Sequence, residues 1–109
     1  MILQSFPFQL LNWSSIKKEE HAGITGMAYW QVAKMNDIRI RTVEYSAGYI
    51  ADNWCNKGHI IYCIEGEMET ELQDGRKFIL SKGMSYQLGD NNEAHRTSTR
   101  DGCRLFIVD

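Results

Sequence analysis

A chain of 109 residues, 43% of them hydrophobic and 11% aromatic, with nine Gly and one Pro, has the material for one ordinary domain and excludes two. Twelve Lys plus Arg against fourteen Asp plus Glu leave a net charge of −2 without any basic cluster, so no nucleic-acid partner is expected. The sequence has no run of about 18 apolar residues, so no membrane span is expected either.

The first segment is apolar in places (Ile2, Leu3, Phe6, Phe8, Leu10, Leu11), but it has no cationic lead or small-residue cleavage pattern, and Pro7 interrupts it. It does not read as a signal peptide or an anchor. Together with an odd cysteine count (Cys55, Cys63, Cys103), this predicts free thiols in a reducing cytoplasm. Residues 1–22 form an arm with too much apolar surface to stay free, and it is expected to pack on the main body or on a second copy of the chain. Asn12 to Ser15 and the following Ile16 to His21 suit one helical turn or a short helix, capped by Ser14 or Ser15.

Residues 23–109 are β-like, with Gly, Asn and Asp punctuating runs of strand length. Asp37 to Tyr45 alternates with Ile38 and Ile40 on one face, then Val43 and Tyr45 on the other, which predicts a bulge between them. Ile60 to Ile64 and Leu105 to Val108 are apolar on both faces and should be covered twice, the outer cover being another sheet or a partner chain. In Glu67 to Leu72 the three glutamates share one face and Met68, Thr70 and Leu72 the other; Asp74-Gly75 then turns the chain into Lys77 to Leu80. A short strand from His95 to Thr99 follows the polar turn Asp90 to Glu93. About eight short strands and no helix after the first twenty residues predict an all-β domain, a small antiparallel sandwich or barrel.

Asn53, Cys55, His59 and His95 are the candidates for chemistry. Asn53 and Cys55 are two apart, so in extended chain they leave the same face, and His59 follows the Lys57-Gly58 turn, so the three can converge. Imidazole and thiolate are good ligands for zinc, iron or nickel, whereas an Asn amide is a poor one. Ile61 and Cys63 alternate with the outward residues after His59 and should line the same interior. Trp54 must point away from positions 53 and 55. Arg39, Arg41 and Arg96 read either as binders of an anionic substrate or as solvated strand faces, His21 reads as solvent-exposed, and Tyr62 and Glu65 are too loosely placed to be assigned as general bases.

Gly48 to Gly66 and Gly83 to Thr99 resemble the two-part signature of the cupin superfamily, G-x5-H-x-H-x3-4-E-x6-G and G-x5-P-x-G-x2-H-x3-N. Counted back from Gly66, His59 stands at the family's Glu, Cys55 at its second His and Asn53 at its first, while His95 lies one residue late in the second part. Gly89 replaces the family Pro, and the family Asn is lost. The likeness is greatest to small single-domain bacterial cupins with an Asp-His-Trp-Cys type segment. It is carried by Lys57-Gly58-His59, Glu65-Gly66-Glu67, Asp74-Gly75-Arg76, Gly83-Met84-Ser85-Tyr86 and Leu105-Phe106-Ile107-Val108-Asp109, and runs from about residue 36 onward.

The resemblance implies a cupin barrel or jelly roll with a short N-terminal arm, and a homodimer is expected. It implies a small-molecule site in which Cys55, His59 and His95 hold one divalent transition metal (Zn, Fe or Ni) and Asn53 orients a bound water. The alternative is a metal-free, non-catalytic ligand-binding or sensory cupin, and a third reading gives Cys55 a thiol function activated by His59. The cupin fold alone does not choose among these.

Overall fold

In the computed structural model, residues 3–109 are described; Met1 and Ile2, counted with the N-terminal arm above, lie outside the described residues. The described residues form eight strands: β1 (Glu19–Ala22), β2 (Met27–Met35), β3 (Ile38–Tyr45), β4 (His59–Leu72), β5 (Lys77–Ser81), β6 (Ser85–Leu88), β7 (His95–Ser98) and β8 (Cys103–Val108). All pairings are antiparallel, and the architecture is a small two-layer jelly-roll barrel. One layer runs β1-β2-β3-β8 and on to the first half of β4, where β6 adds at the far side. The other layer is the second half of β4 between β5 and β7.

β4 serves both layers because it changes phase. His59, Ile61 and Cys63 face inward, and after a bulge between Cys63 and Glu65 the inward set becomes Met68, Thr70 and Leu72, with the glutamates outside as their alternation predicts. Gly66 sits in this bend at φ 76°, a left-handed conformation, and a Cβ there would collide with the carbonyl of Gly102. Between the layers, Val43, Ile61, Cys63, Met68, Leu80, Cys103, Leu105 and Ile107 form the core. The Asp74-Gly75 turn forms as expected, with Gly75 at φ 97°.

Two expectations are corrected. The first is the bulge in β3: its register against both β2 and β8 is unbroken from Ile40 to Tyr45. The inward residues are Arg41, Val43 and, beside them, Arg39 and Tyr45, while Ile38 and Ile40 lie on the outer face. The apolar pattern misleads here because the inner face carries two arginines. The second is the helix over Ile16 to His21. Only Trp13–Ser15 forms a turn of 3-10 helix, capped by the Asn12 side chain, which accepts from Ser14 N at 3.2 Å. Glu19 to Ala22 then join the sheet as β1, because pairing with β2 satisfies more backbone than one exposed helical turn would. The arm is tied to the barrel by Gln31 Nε2, which donates to the carbonyls of Trp13 (2.6 Å) and Ile16 (2.8 Å), and by the edge-on contact of Trp13 with Phe106.

Gly66 and Gly75 provide an internal comparison. Alanine at Gly75 meets open space and carries only the strain of a positive φ, about 1 kcal/mol, whereas alanine at Gly66 adds a backbone collision. Gly66→Ala is therefore expected to lower the melting temperature by more than the roughly 4–8 °C of a 1 kcal/mol loss, and by more than Gly75→Ala, as read by circular dichroism.

Candidate metal centre

The segment between β3 and β4 runs alongside β7 like an unlabelled strand. Ala51 N donates to Thr97 O at 2.9 Å, Thr99 N donates to Tyr49 O at 3.0 Å, and Cys55 and His95 exchange both backbone hydrogen bonds at 2.7 and 3.0 Å. That pairing sets Cys55 opposite His95. His59 is brought in by Gly58, whose approach to the backbone of Leu88 and Gly89 leaves no room for a Cβ and whose N–H donates to Asp90 Oδ1 at 2.7 Å.

The three side chains meet. Cys55 Sγ is 3.3 Å from His59 Nε2, the imidazoles of His59 and His95 lie edge to face with centroids 5.2 Å apart, and the three ligand atoms all fall within 4.8 Å of one another. His59 and His95 are buried and Cys55 is half-buried. Donor atoms around a tetrahedral zinc-sized ion stand roughly 3.3–3.6 Å apart, so the Cys55–His59 pair already has the spacing and the widest pair needs only a modest closure.

Both rings are held from behind. His59 Nδ1–H donates to Asp109 Oδ2 at 2.8 Å, and His95 Nδ1–H donates to the backbone carbonyl of Glu93 at 3.1 Å. Each bond fixes the tautomer that leaves Nε2 for the cluster, the arrangement usual behind metal-binding histidines.

Asp109 is the hub of this support, and nothing in the sequence singled it out. Its carboxylate is 1% exposed and accepts from Arg39 Nε (2.8 Å) and Nη2 (3.1 Å) and from Arg41 Nη2 (3.1 Å) as well as from His59. The Arg41 guanidinium lies over the Trp30 ring at 4.3 Å and Arg39 at 5.5 Å, and the His21 ring lies tilted against Trp30 with centroids 3.9 Å apart. Burial by itself raises Asp109, but the hydrogen bonds from His59 and Arg39 and the charge of Arg41 outweigh it and hold the carboxyl well below its ordinary range. For His59, burial works against protonation, but the bonds to Asp109 and Cys55 prevail and raise it. Hydrogen bonds from His59 and then His95 pull the Cys55 thiol down from 9.0 to about 5, so without an ion it is a thiolate at neutral pH. By contrast, burial pushes Cys63 up, and Cys103 up to about 12.

The other candidates lie elsewhere. Asn53 is exposed and its amide donates to Asp52 Oδ1 at 3.1 Å, so the expected interior position is corrected: the chain bends at 52–53 and is not extended through Cys55. Ile61 and Cys63 are 4% and 0% exposed within the packed core. Arg39 and Arg41 are spent on Asp109, and Arg96 lies over Trp54 at 4.6 Å while donating to Glu71 at 2.9 Å, so none of the three is a free anion binder. His21 is partly covered by Trp30. Tyr62 and Glu65 are on the outside. A pair of arginines two apart on one strand face was the available signal for a buried carboxylate.

No family profile and no curated protein matches the chain in sequence. Among solved structures it is similar to an ectoine synthase from P. lautus (22% identity, 93% of this chain and 76% of that one, TM-score 0.74). It is also similar to a predicted oxalate decarboxylase from Thermotoga maritima (15%, 92% and 96%, TM-score 0.77). A third likeness is to an RmlC-like cupin from Shewanella frigidimarina (18%, 98% and 92%, TM-score 0.69). These likenesses establish the cupin fold.

A carboxyl held below its ordinary value of 3.8 stabilises the fold at every pH above that value, and the contribution disappears as pH falls from 3.8 toward the folded value. Asp109→Asn, which leaves two guanidinium groups short of their counter-charge, is expected to lose up to about 3–5 kcal/mol at neutral pH. The gap to the wild type should narrow below about pH 4, and urea denaturation over a pH series measures it.

Proposed function

We propose that this cupin-fold chain is a small-molecule-binding protein whose Cys55, His59 and His95 hold one divalent transition metal (zinc, iron or nickel) at one end of the barrel. The observation that carries the reading is the fixed tautomer of both histidines: Asp109 and the Glu93 carbonyl occupy each Nδ1, and each Nε2 is left for a site that already holds a thiolate. Three protein ligands leave a position for solvent or substrate, as in catalytic rather than closed structural sites. Bound there, such an ion supplies a Lewis acid or an activated water or oxygen. His59, His95 and Cys55 bind and orient, and Asp109, held by Arg39 and Arg41, keeps His59 in place.

The 3.3 Å contact between Cys55 and His59 favours a second reading, since thiolate and imidazolium satisfy each other without an ion. In that case the barrel binds a ligand as a metal-free cupin. Elemental analysis of protein purified without added metal or an affinity histidine tag decides between them. About one equivalent per chain is expected, lost in Cys55→Ala and His95→Ala. Metal-free protein that also fails to take up zinc, iron or nickel overturns the metal reading.

A homodimer belongs to the same proposal. Phe8 is 93% and Leu10 87% exposed on the arm, and Ile60 and Tyr62, on the outer face of β4, are about half exposed. Exposed apolar side chains of this size suit burial against a second copy. The three free cysteines suit a cytoplasmic setting. No helix among the described residues is long and apolar enough to cross a membrane. Light scattering on a sizing column is expected to give twice the chain mass, and Phe8→Glu with Leu10→Glu to shift it toward the monomer. A wild-type monomer at all concentrations counts against the dimer.

A further inference from the structure

Both histidines of the centre have a leucine beside them on the same inward face. His59 stands opposite Leu88 where β4 pairs with β6, and His95 stands opposite Leu72 where β4 pairs with β7. These two leucines line a cavity of about 300 Å³ on the side of β5 and β6, and His95 itself is part of its wall. At about 30 Å³ per water-sized group this is room for about ten non-hydrogen atoms. Phe78 and Leu80 extend a lining that is mainly apolar.

Charge decides which end group suits a place between that cavity and the centre. Arg39 and Arg41 bring two positive charges to the inner face of β3, and Asp109 answers one of them. A divalent ion held by Cys55 as thiolate and by two neutral imidazoles adds one net positive charge. The loaded centre and its support therefore carry an excess of two positive charges. The other charges in reach stand in water. Glu19 acts on Arg39, but its side chain is 54% exposed. At the rim of the cavity Arg76 is shared between Asp74 and Glu93, and all three are about half exposed. Solvent and salt screen these groups far more than they screen Arg41, Asp109 and the two buried histidines. An excess charge inside a protein is destabilising, and an anion lowers it whereas a neutral occupant leaves it whole.

Resting on the metal-centre reading above, we propose that the loaded centre takes a small carboxylate with an apolar chain, the carboxylate facing Cys55, His59 and His95 and the chain lying in the cavity against Leu72, Phe78 and Leu80. Arg39 contributes to this choice by its charge alone, because its hydrogen bonds go to Asp109.

The test is an NMR titration of the full chain loaded with zinc, the zinc content being measured on the same sample, against hexanoate, hexanamide and acetate. Hexanamide has the shape of hexanoate without its charge, and acetate has the charge without the chain. Saturable shifts of the Leu72, Leu80 and His95 amides are expected with hexanoate, and binding of each of the other two is expected to be at least about tenfold weaker. Arg39→Gln should weaken hexanoate about three- to tenfold with unchanged zinc content, and Arg39→Lys should restore it. In zinc-loaded protein, hexanamide bound as tightly as hexanoate overturns the choice of an anion, and acetate bound as tightly overturns the chamber; either result spares the centre. Hexanoate bound equally well after zinc is removed separates the cavity from the centre and also overturns the proposal. Protein that takes up no zinc overturns the centre and this proposal with it. A folded Arg39→Gln with wild-type affinity for hexanoate overturns the role of Arg39, and the wild-type comparisons decide the rest even if that variant fails to fold.

Discussion

The constraint on which the rest depends is the burial of a single carboxylate. Arg39 and Arg41 point into the barrel from β3, where an unpaired guanidinium would be untenable, and Asp109 meets both from the end of β8. The same carboxylate accepts a hydrogen bond from the Nδ1–H of His59 at the start of β4. Three strands adjacent in the sheet are thus pinned at one end by one anion, and the chemistry faces outward from that pin. Trp30 on β2 lies under the guanidinium groups and extends the support to a fourth strand. The Cys55 thiolate is a consequence further along the same chain of contacts, because the imidazole that Asp109 holds in place is the one whose hydrogen bond lowers the thiol most.

Much of the fold was legible in the sequence wherever alternation and turn chemistry agreed. The Glu67 to Leu72 face pattern, the Asp74-Gly75 turn and the start of a strand at His95 all follow from local rules. β3 was misread for a physical reason: alternation assumes that charge faces water, and here two charges are buried because their counter-ion comes from β8, far away in sequence. Asn53 failed for a different reason. Same-face reasoning needs extended chain, and the bend at 52–53 removes it.

At the site, the spacing of Cys55 and His59 and the cupin-like register single out three residues whose ligand atoms the fold brings within 4.8 Å of one another. What could not be read was the support behind them. Asp109 appeared only as the end of an apolar strand, and the Glu93 carbonyl carries no side-chain signature at all.

The fourteen residues of β4 have a further bearing on how this molecule comes apart. Its first half is bonded to β8 and β6 and its second to β5 and β7, so one uninterrupted rail carries hydrogen bonds of both layers. Neither layer can melt alone without stripping a strand from the other, and the turn at Gly66 is buttressed by Gly102 and Cys103 rather than left as a hinge. The two layers therefore form one cooperative unit, so that the slowest-exchanging amides of both should open together in a single global event.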